Sequence, residues 1–255
     1  MNVYETEKLV AEYLLFHYGS ESDIAPPKGA EYALGFPVRC VSECLEKGSL
    51  RSTARALDLG CAVGRSSFEL ARSFKEVIGI DFSRRFIEVA TRLAETGSLE
   101  YERTDEGNLT TKLKAVVCED IDRSRVRFEV GDAMNLPRDL RSFEVVLMAN
   151  LIDRLRDPAL CVGHVASLVN PGGQLILTSP YTWLAEFTPP GNWLGGCERG
   201  GKRFTTLDGL HASLDLFFDL ESVRDLPFLI REHARKFQFS IAQASIWRRK
   251  AVAEA

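Results

Sequence analysis

Ala56-Leu57-Asp58-Leu59-Gly60-Cys61-Ala62-Val63-Gly64-Arg65 reads as a strand, a tight turn and the start of a helix. Leu57 and Leu59 are the apolar end of a buried strand. Gly60 and Gly64 stand where a side chain would keep a ligand from the backbone. Ser66 to Phe74 then carries Phe68, Leu70, Ala71 and Phe74 on one side of a helix. A strand that feeds a glycine turn and a helix N-terminus predicts a nucleotide site in an α/β sheet, because backbone N–H groups and the helix dipole converge there.

One helix later, Ile78-Gly79-Ile80-Asp81-Phe82-Ser83 is a second strand ending in an acid. An acid about 20 residues beyond such a turn is placed to accept hydrogen bonds from ribose hydroxyls. The plainer alternative for Asp81 is an N-cap for a helix over Ser83–Leu93. The turn lacks the G-x-G-x-x-G spacing of dinucleotide sites. Its string, D-x-G-C-A-x-G, resembles the first motif of class I S-adenosylmethionine-dependent methyltransferases. The resemblance implies that the turn wraps the methionine part of the cofactor and that Asp58 helps hold that part. The cofactor expected is therefore S-adenosyl-L-methionine, with S-adenosyl-L-homocysteine as product, on Asp58, Gly60, Cys61, Ala62, Gly64, Asp81 and Phe82.

The chain has 255 residues, 45% of them apolar, enough to bury the core of one domain. A net charge of −4 argues against a nucleic-acid surface. The basic run Arg248-Arg249-Lys250 is short and reads as a solvated strand end. Six cysteines are scattered, and Cys40 and Cys44 have no second pair at a metal-site spacing, so no metal is expected. With no signal peptide or long apolar span legible, a cytoplasmic protein with reduced thiols is expected, acting on a small molecule without nucleic acid or membrane, as a monomer or homodimer.

From the N-terminus, Tyr4 to Tyr18 forms a helix with Leu9, Val10, Tyr13, Leu14 and Phe16-His17 on its apolar face; Gly19 and Ser20 stop it and Pro26-Pro27 make a linker. Preceding the nucleotide core, it is free to act as a lid, with Tyr4, Tyr13, His17 and Tyr18 as its polar-tipped aromatics. Arg39, in a helix over about Val38 to Glu46, is a candidate clamp for a carboxylate of cofactor or substrate. Strands follow at Arg55–Leu59 and Glu76–Ile80, then a helix over Ser83–Glu95. The polar stretch from Thr96 to Glu119 is an insertion, either a helix or a hairpin outside the core.

Arg125 to Val130 alternates polar and apolar before Gly131-Asp132-Ala133. That pattern resembles the family motif whose acid reaches the adenine amino group, which places Asp132 and Ala133 at the cofactor; Met134 and Leu136 would cover the ring or join the core. Phe143 to Asn150 is nearly all apolar, as a central parallel strand requires. Asn150, Asp153 and Arg154 lie at its C-terminal tip, where open α/β sheets bind ligands. A helix runs from Asp157-Pro158 to about Leu168. Leu168-Val169-Asn170-Pro171-Gly172-Gly173-Gln174-Leu175 resembles the family's L-x-P-G-G-x-L string, with two residues instead of one between leucine and proline. Gln174–Ser179 is a fifth strand. Residues 180–204 carry Tyr181, Trp183 and Trp193 from the same sheet edge and would wall an acceptor pocket against water. A helix over Leu207–Leu216, a sixth strand over Phe217–Leu226, a last region from about Ile230, and an antiparallel strand over Phe237–Arg248 complete the chain.

Taken together, Tyr4-Glu5-Thr6, Glu12 to Gly19, Phe36 to Cys40, Asp58 to Phe68, Pro180 to Trp183 and Asn192 to Gly196 resemble the 5-thiohistidine N-methyltransferases of ovothiol biosynthesis: the C-terminal methyltransferase domain of the bifunctional 5-histidylcysteine sulfoxide synthase and its stand-alone counterparts. The resemblance spans nearly the whole chain and implies methylation of the imidazole π nitrogen of 5-thiohistidine to give ovothiol A. A zwitterionic substrate would suit Arg39 or Arg154 for its carboxylate, Asp153 for its ammonium, and Tyr181, Trp183 or Trp193 around the ring. His17 or Tyr18 would orient the ring and, with Asp153, stand at the reacting centre; Arg39, like Asn150 at the strand tip, is also a candidate at the cofactor. The fold expected is α/β and Rossmann-like: one domain over 1–255, a mostly parallel seven-stranded sheet with an antiparallel last strand, helices on both faces, a helical lid over 1–50 and an aromatic substrate loop over 180–204. The alternatives are another small amine, thiol or carboxylate acceptor, or a non-catalytic S-adenosylmethionine-binding protein.

Overall fold

A computed structural model describes residues 3–46, 54–137, 140 and 142–251. The linker ahead of the first strand, 47–53, and the ends of the 1–50 segment fall outside the described residues.

The first strand, β1 (Arg55–Leu59), lies in the interior of a seven-stranded sheet. On one side it pairs parallel with β2 (Glu76–Asp81), which pairs parallel with β5 (Val126–Val130). On the other side it pairs parallel with β6 (Phe143–Ala149), which pairs parallel with β7 (Val169–Ser179). The last strand, β11 (Lys236–Arg249), runs antiparallel to both its neighbours, β7 and β10 (Phe218–His233). The α/β class and the antiparallel last strand are as expected.

Strand β6 shows why the sheet is sandwiched. Val145 and Leu147 join one apolar cluster while Val146 and Met148 join the other. The period-2 alternation of a strand sends apolar groups to both faces, and both must be covered. One face is covered by α1 (Glu7–Tyr18), α3 (Phe36–Ser42), α4 (Arg65–Ala71) and α5 (Arg84–Thr96). The other is covered by α6 (Pro158–Leu168) and α7 (Thr206–Leu214).

Several element boundaries differ from expectation for local reasons. The N-terminal helix splits into a short turn over Val3–Glu5 and α1, because Thr6 caps α1 by accepting from Leu9 N. A four-residue helix, α2 (Glu21–Ile24), stands between the stop at Gly19-Ser20 and Pro26-Pro27, opened by a Ser20–Asp23 capping box. Ser83, not Asp81, is the N-cap of α5, accepting from Phe86 N at 3.1 Å. The sixth strand runs on past Pro227 to His233, so Ile230 lies inside it. Proline lacks a ladder donor, but β10 is an edge strand, where that loss is tolerated. The insertion is a hairpin: β3 (Ser98–Glu106) pairs antiparallel with β4 (Leu109–Val116) as a separate two-stranded sheet. The aromatic segment carries a smaller hairpin of β8 (Cys197–Arg199) and β9 (Lys202–Phe204). Among the described residues no helix is long and apolar enough to cross a membrane.

Candidate active site

Strand order reverses between β1 and β6, and the crevice over such a point is where open α/β sheets bind ligands. A cavity of about 710 Å³ lies there, lined by residues at the C-terminal tips of β1, β2, β5 and β6. That volume is in the range of sites holding a whole small molecule, about 300–1,000 Å³.

The glycine turn forms one wall. Gly60 N and Cys61 N both donate to Ile80 O, at 2.8 and 3.1 Å, which locks the turn to the neighbouring strand. Gly60, Ala62 and Gly64 have φ of 81°, 47° and 86°, left-handed values that disfavour larger side chains. A Cβ on Gly64 would stand 2.5 Å from the Phe128 ring, so this glycine is also needed for packing.

Two acids converge on the turn. Asp81 accepts from Ala62 N through Oδ2 (2.9 Å) and from Ser83 N through Oδ1 (2.8 Å). Each carboxylate oxygen can accept about two hydrogen bonds, so capacity remains for two ligand hydroxyls. Burial raises the Asp81 pKa, against the lowering effect of those backbone donors. Asp58 is 1% exposed; Oδ2 accepts from Ser67 Oγ at 2.6 Å and Oδ1 has no partner among the described residues. Burial pushes its carboxyl up to about 7, with the Ser67 hydroxyl opposing. A buried acceptor without a donor is costly, and a cation arriving from the cavity would relieve it.

The remaining wall is aromatic. Tyr13, Phe16 and His17 of α1 face it, with Tyr4, Phe36, Phe187 and Ile230 from other segments. His17 is 9% exposed and its Nδ1 has no partner among the described residues. Burial, with the Arg65 charge nearby, pushes its pKa down to about 3, so the ring is uncharged at neutral pH. Arg154 lines the same wall. Its Nη1 donates to Asp153 Oδ2, Asp153 O and Thr182 O, and its guanidinium lies 5.0 Å above the centre of the Phe187 ring.

Of the residues singled out in the sequence, the fold brings Asp58, Gly60, Cys61, Ala62, Asp81, Phe82, Asp132, Ala133, Asn150, His17 and Arg154 to this cavity. The others lie elsewhere. Arg39 is taken up by Glu43, Tyr32 O and Pro227 O, so it ties α3 to β10 and does not border the cavity. Tyr18 is buried; its hydroxyl donates to Val63 O at 2.9 Å, anchoring α1 to the glycine turn. Gly64 supports the turn from behind. Asp153, 1% exposed, is one shell back, accepting from Thr182 N and Arg154. Tyr181 donates to Gln243 Oε1, Trp183 to Thr206 Oγ1 and Trp193 to Thr188 O, while the two tryptophans stack 6.4 Å apart. The loop is thus packed by its own rings, and Phe187 and Asn192 are its contributions to the cavity. Tyr4 and Phe36 belong to stretches that carry the resemblance and Phe187 to the aromatic segment, while Ile230 had no signal in the sequence, since it looks like an ordinary core residue.

Residues 57–177 match the family model of a methyltransferase domain. Over those residues the chain carries a methyltransferase domain of the S-adenosylmethionine-dependent kind. It is 25% identical, over 61% of its length, to the ubiquinone biosynthesis O-methyltransferase of Coxiella burnetii, and the match spans 66% of that relative. It is 24% identical, over 68% of its length, to the ajmaline N-methyltransferase of Rauvolfia serpentina, spanning 53% of that protein. Among solved structures, the N-methyltransferase NodS of Bradyrhizobium japonicum, with S-adenosyl-L-homocysteine, aligns over 94% of this chain and 98% of its own at a TM-score of 0.54 and 13% identity. The [4+2]-cyclase SpnF aligns at 0.53 and 17%, over 84% of this chain and 81% of its own. These likenesses fix the fold; a cyclase among them shows that the fold alone does not fix the acceptor chemistry.

The methyltransferase cavity suits S-adenosylmethionine. The unpartnered Asp58 Oδ1 matches an ammonium, Asp81 matches a ribose diol, and Phe82, 65% exposed at the rim, offers a ring face to adenine.

Proposed function

We propose that this methyltransferase methylates the imidazole π nitrogen of 5-thiohistidine. The observation that carries the reading is the composition of the acceptor wall: the Arg154 guanidinium, with Arg156 also at the cavity, one uncharged buried imidazole and several aromatic rings, in a cavity shared with the cofactor turn. The motif resemblance along the chain supports the same acceptor.

In this reading Asp58, Asp81, Phe82, Asp132, Ala133 and the turn Gly60–Ala62 hold the cofactor, with Asn150 beside them. S-adenosylmethionine supplies an electrophilic methyl group on a sulfonium. Arg154 takes the substrate carboxylate, its orientation set by Asp153 and Thr182 O. Tyr4, Tyr13 and Phe16 enclose the ring and exclude water. His17, neutral, accepts or donates one hydrogen bond to orient the ring. An imidazole nitrogen brings its own lone pair, so alignment carries most of the rate and no strong base is required. The N-terminal segment serves as the lid.

Incubation with methyl-labelled S-adenosylmethionine and 5-thiohistidine tests this directly. Label on the π nitrogen supports the assignment. No label there, with turnover on another small amine, thiol or carboxylate, moves the enzyme to that acceptor. Both oxygen and nitrogen acceptors belong in the panel, since its relatives include an O- and an N-methyltransferase by name.

A further inference from the structure

The hairpin β3–β4 contributes nothing to the cavity, yet it is tied to the elements that wall it. Its Asp105 pairs with two guanidiniums. Arg103, on the same strand, lies 2.7 Å away and Arg231 of β10 lies 3.0 Å away, with its side chain 4% exposed. Both arginines also reach α2. Arg103 Nη1 donates to Asp23 O at 2.6 Å and Arg231 Nη1 donates to Ile24 O at 2.8 Å. These are carbonyls at the end of a helix, left over by its own hydrogen-bonding pattern. Thr111 of β4 donates to the other Asp105 oxygen, and Ala234 N donates to Asp105 O at 3.0 Å. One carboxylate therefore joins the hairpin, the α1–α2 corner and the outer half of β10.

Those last two elements carry part of the aromatic wall. Helix α1 presents Tyr13, Phe16 and His17 to the cavity, and Ile230, next to Arg231, lines it from β10. On its other side α1 rests on the hairpin: Val10 and Leu14 share an apolar cluster with Tyr101 and Ala115. The cofactor turn hangs on β1 and β2 instead, which the hairpin does not pair with.

We infer that the inserted hairpin is a buttress that sets the shape of the acceptor wall, with Asp105 as its positioning residue. The Asp105 carboxylate neutralises two partly buried cations and thereby holds α1 against β10. Losing it leaves those cations facing each other, and the corner opens. The inference rests on assigning the α1 side of the cavity to the acceptor, and on no particular acceptor.

The test uses the full chain with Asp105→Asn, and Thr111→Val as a milder change should the first fold poorly. Three readouts apply: amide exchange across Glu7–Ile24, calorimetric affinity for S-adenosylhomocysteine, and KM against kcat with 5-thiohistidine. The buttress predicts faster exchange in α1 and α2 and unchanged S-adenosylhomocysteine affinity. It also predicts an acceptor KM raised roughly tenfold, short of the hundredfold that a 1 Å misplacement can bring, with Thr111→Val in between. Unchanged exchange in α1 and α2 would overturn it, as would a cofactor affinity that falls in step with acceptor binding. If the wild type leaves 5-thiohistidine untouched, that rejects the proposed substrate alone, and the exchange and cofactor readouts still decide the role of Asp105.

Discussion

Tyr4 and Arg154 line the same cavity, and while burial raises the pKa of the Tyr4 hydroxyl, the Arg154 guanidinium beside it opposes that rise. The N-terminal turn and the tip of β6 thus close on one space. The turn is held at its other side by Ser83 Oγ, which donates to Tyr4 O at 2.9 Å, and by Glu5, which accepts from Arg84 N at 3.1 Å. Tyr4→Phe should cost about 0.5–1.5 kcal/mol, the usual worth of the one hydrogen bond its hydroxyl can offer a ligand in the cavity, seen as up to about a tenfold drop in kcat/KM for an acceptor bearing a carboxylate. Arg154→Lys should cost more, because a lysine cannot keep the forked contacts to Asp153 and Thr182 O while reaching a ligand. Steady-state kinetics with 5-thiohistidine and its decarboxylated analogue check this: the Arg154 effect should shrink on the analogue.

With the cofactor placed as proposed, Asp58 couples its binding to pH. Its folded pKa of about 7 lies above the ordinary value of 3.8, so between those values the folded chain holds a proton that the unfolded chain has lost. Stability from this group is therefore greatest at low pH and falls as pH rises through that window. An ammonium beside Oδ1 favours the charged form, so binding below about pH 7 should release a proton and tighten as pH rises. Calorimetry of S-adenosylhomocysteine binding in buffers of different ionisation enthalpy measures that release. Asp58→Asn should remove most of it.

His17 has the opposite sign. Its folded pKa of about 3 lies below 6.5, so the unfolded chain binds the extra proton between those values and stability is lost as pH falls through them. His17→Gln should flatten the acid side of the Tm-versus-pH curve relative to wild type. Its effect on kcat should be about tenfold, below the hundredfold or more expected for loss of a general base. A larger loss, with a pH-rate limb that disappears, would make His17 a proton acceptor instead.

Gly64→Ala should destabilise without touching the cavity. The residue sits at φ 86° and a Cβ would meet Phe128 at 2.5 Å. The left-handed backbone alone costs about 1–2 kcal/mol for a non-glycine residue, and the overlap adds to it. Urea denaturation should show a lower midpoint at unchanged slope.

The side of the cavity proposed for the cofactor was legible in the sequence because it is built from local pattern. A strand, a glycine turn and an acid at the next strand tip are each a few consecutive residues, and parallel pairing brings their tips together. Asp81 and Asp58 needed only that register. The acceptor half was not legible in the same way. Arg39 reads as a free cation, but β10 runs past Pro227 and offers it a carbonyl, a contact set by tertiary pairing. Trp183 and Trp193 read as pocket walls, yet their indole donors find partners within the 180–206 segment, and burial of those donors decided their placement. Tyr4 and Ile230 enter the cavity only because the chain ends fold back over the sheet.

The most direct test of the central claim is a calorimetric titration of S-adenosylhomocysteine into the wild-type chain and into Asp81→Ala. The account predicts one binding site per chain, with affinity lowered at least about tenfold when the paired acceptor oxygens of Asp81 are removed. No binding to the wild type, or equal affinity in the variant, would contradict it.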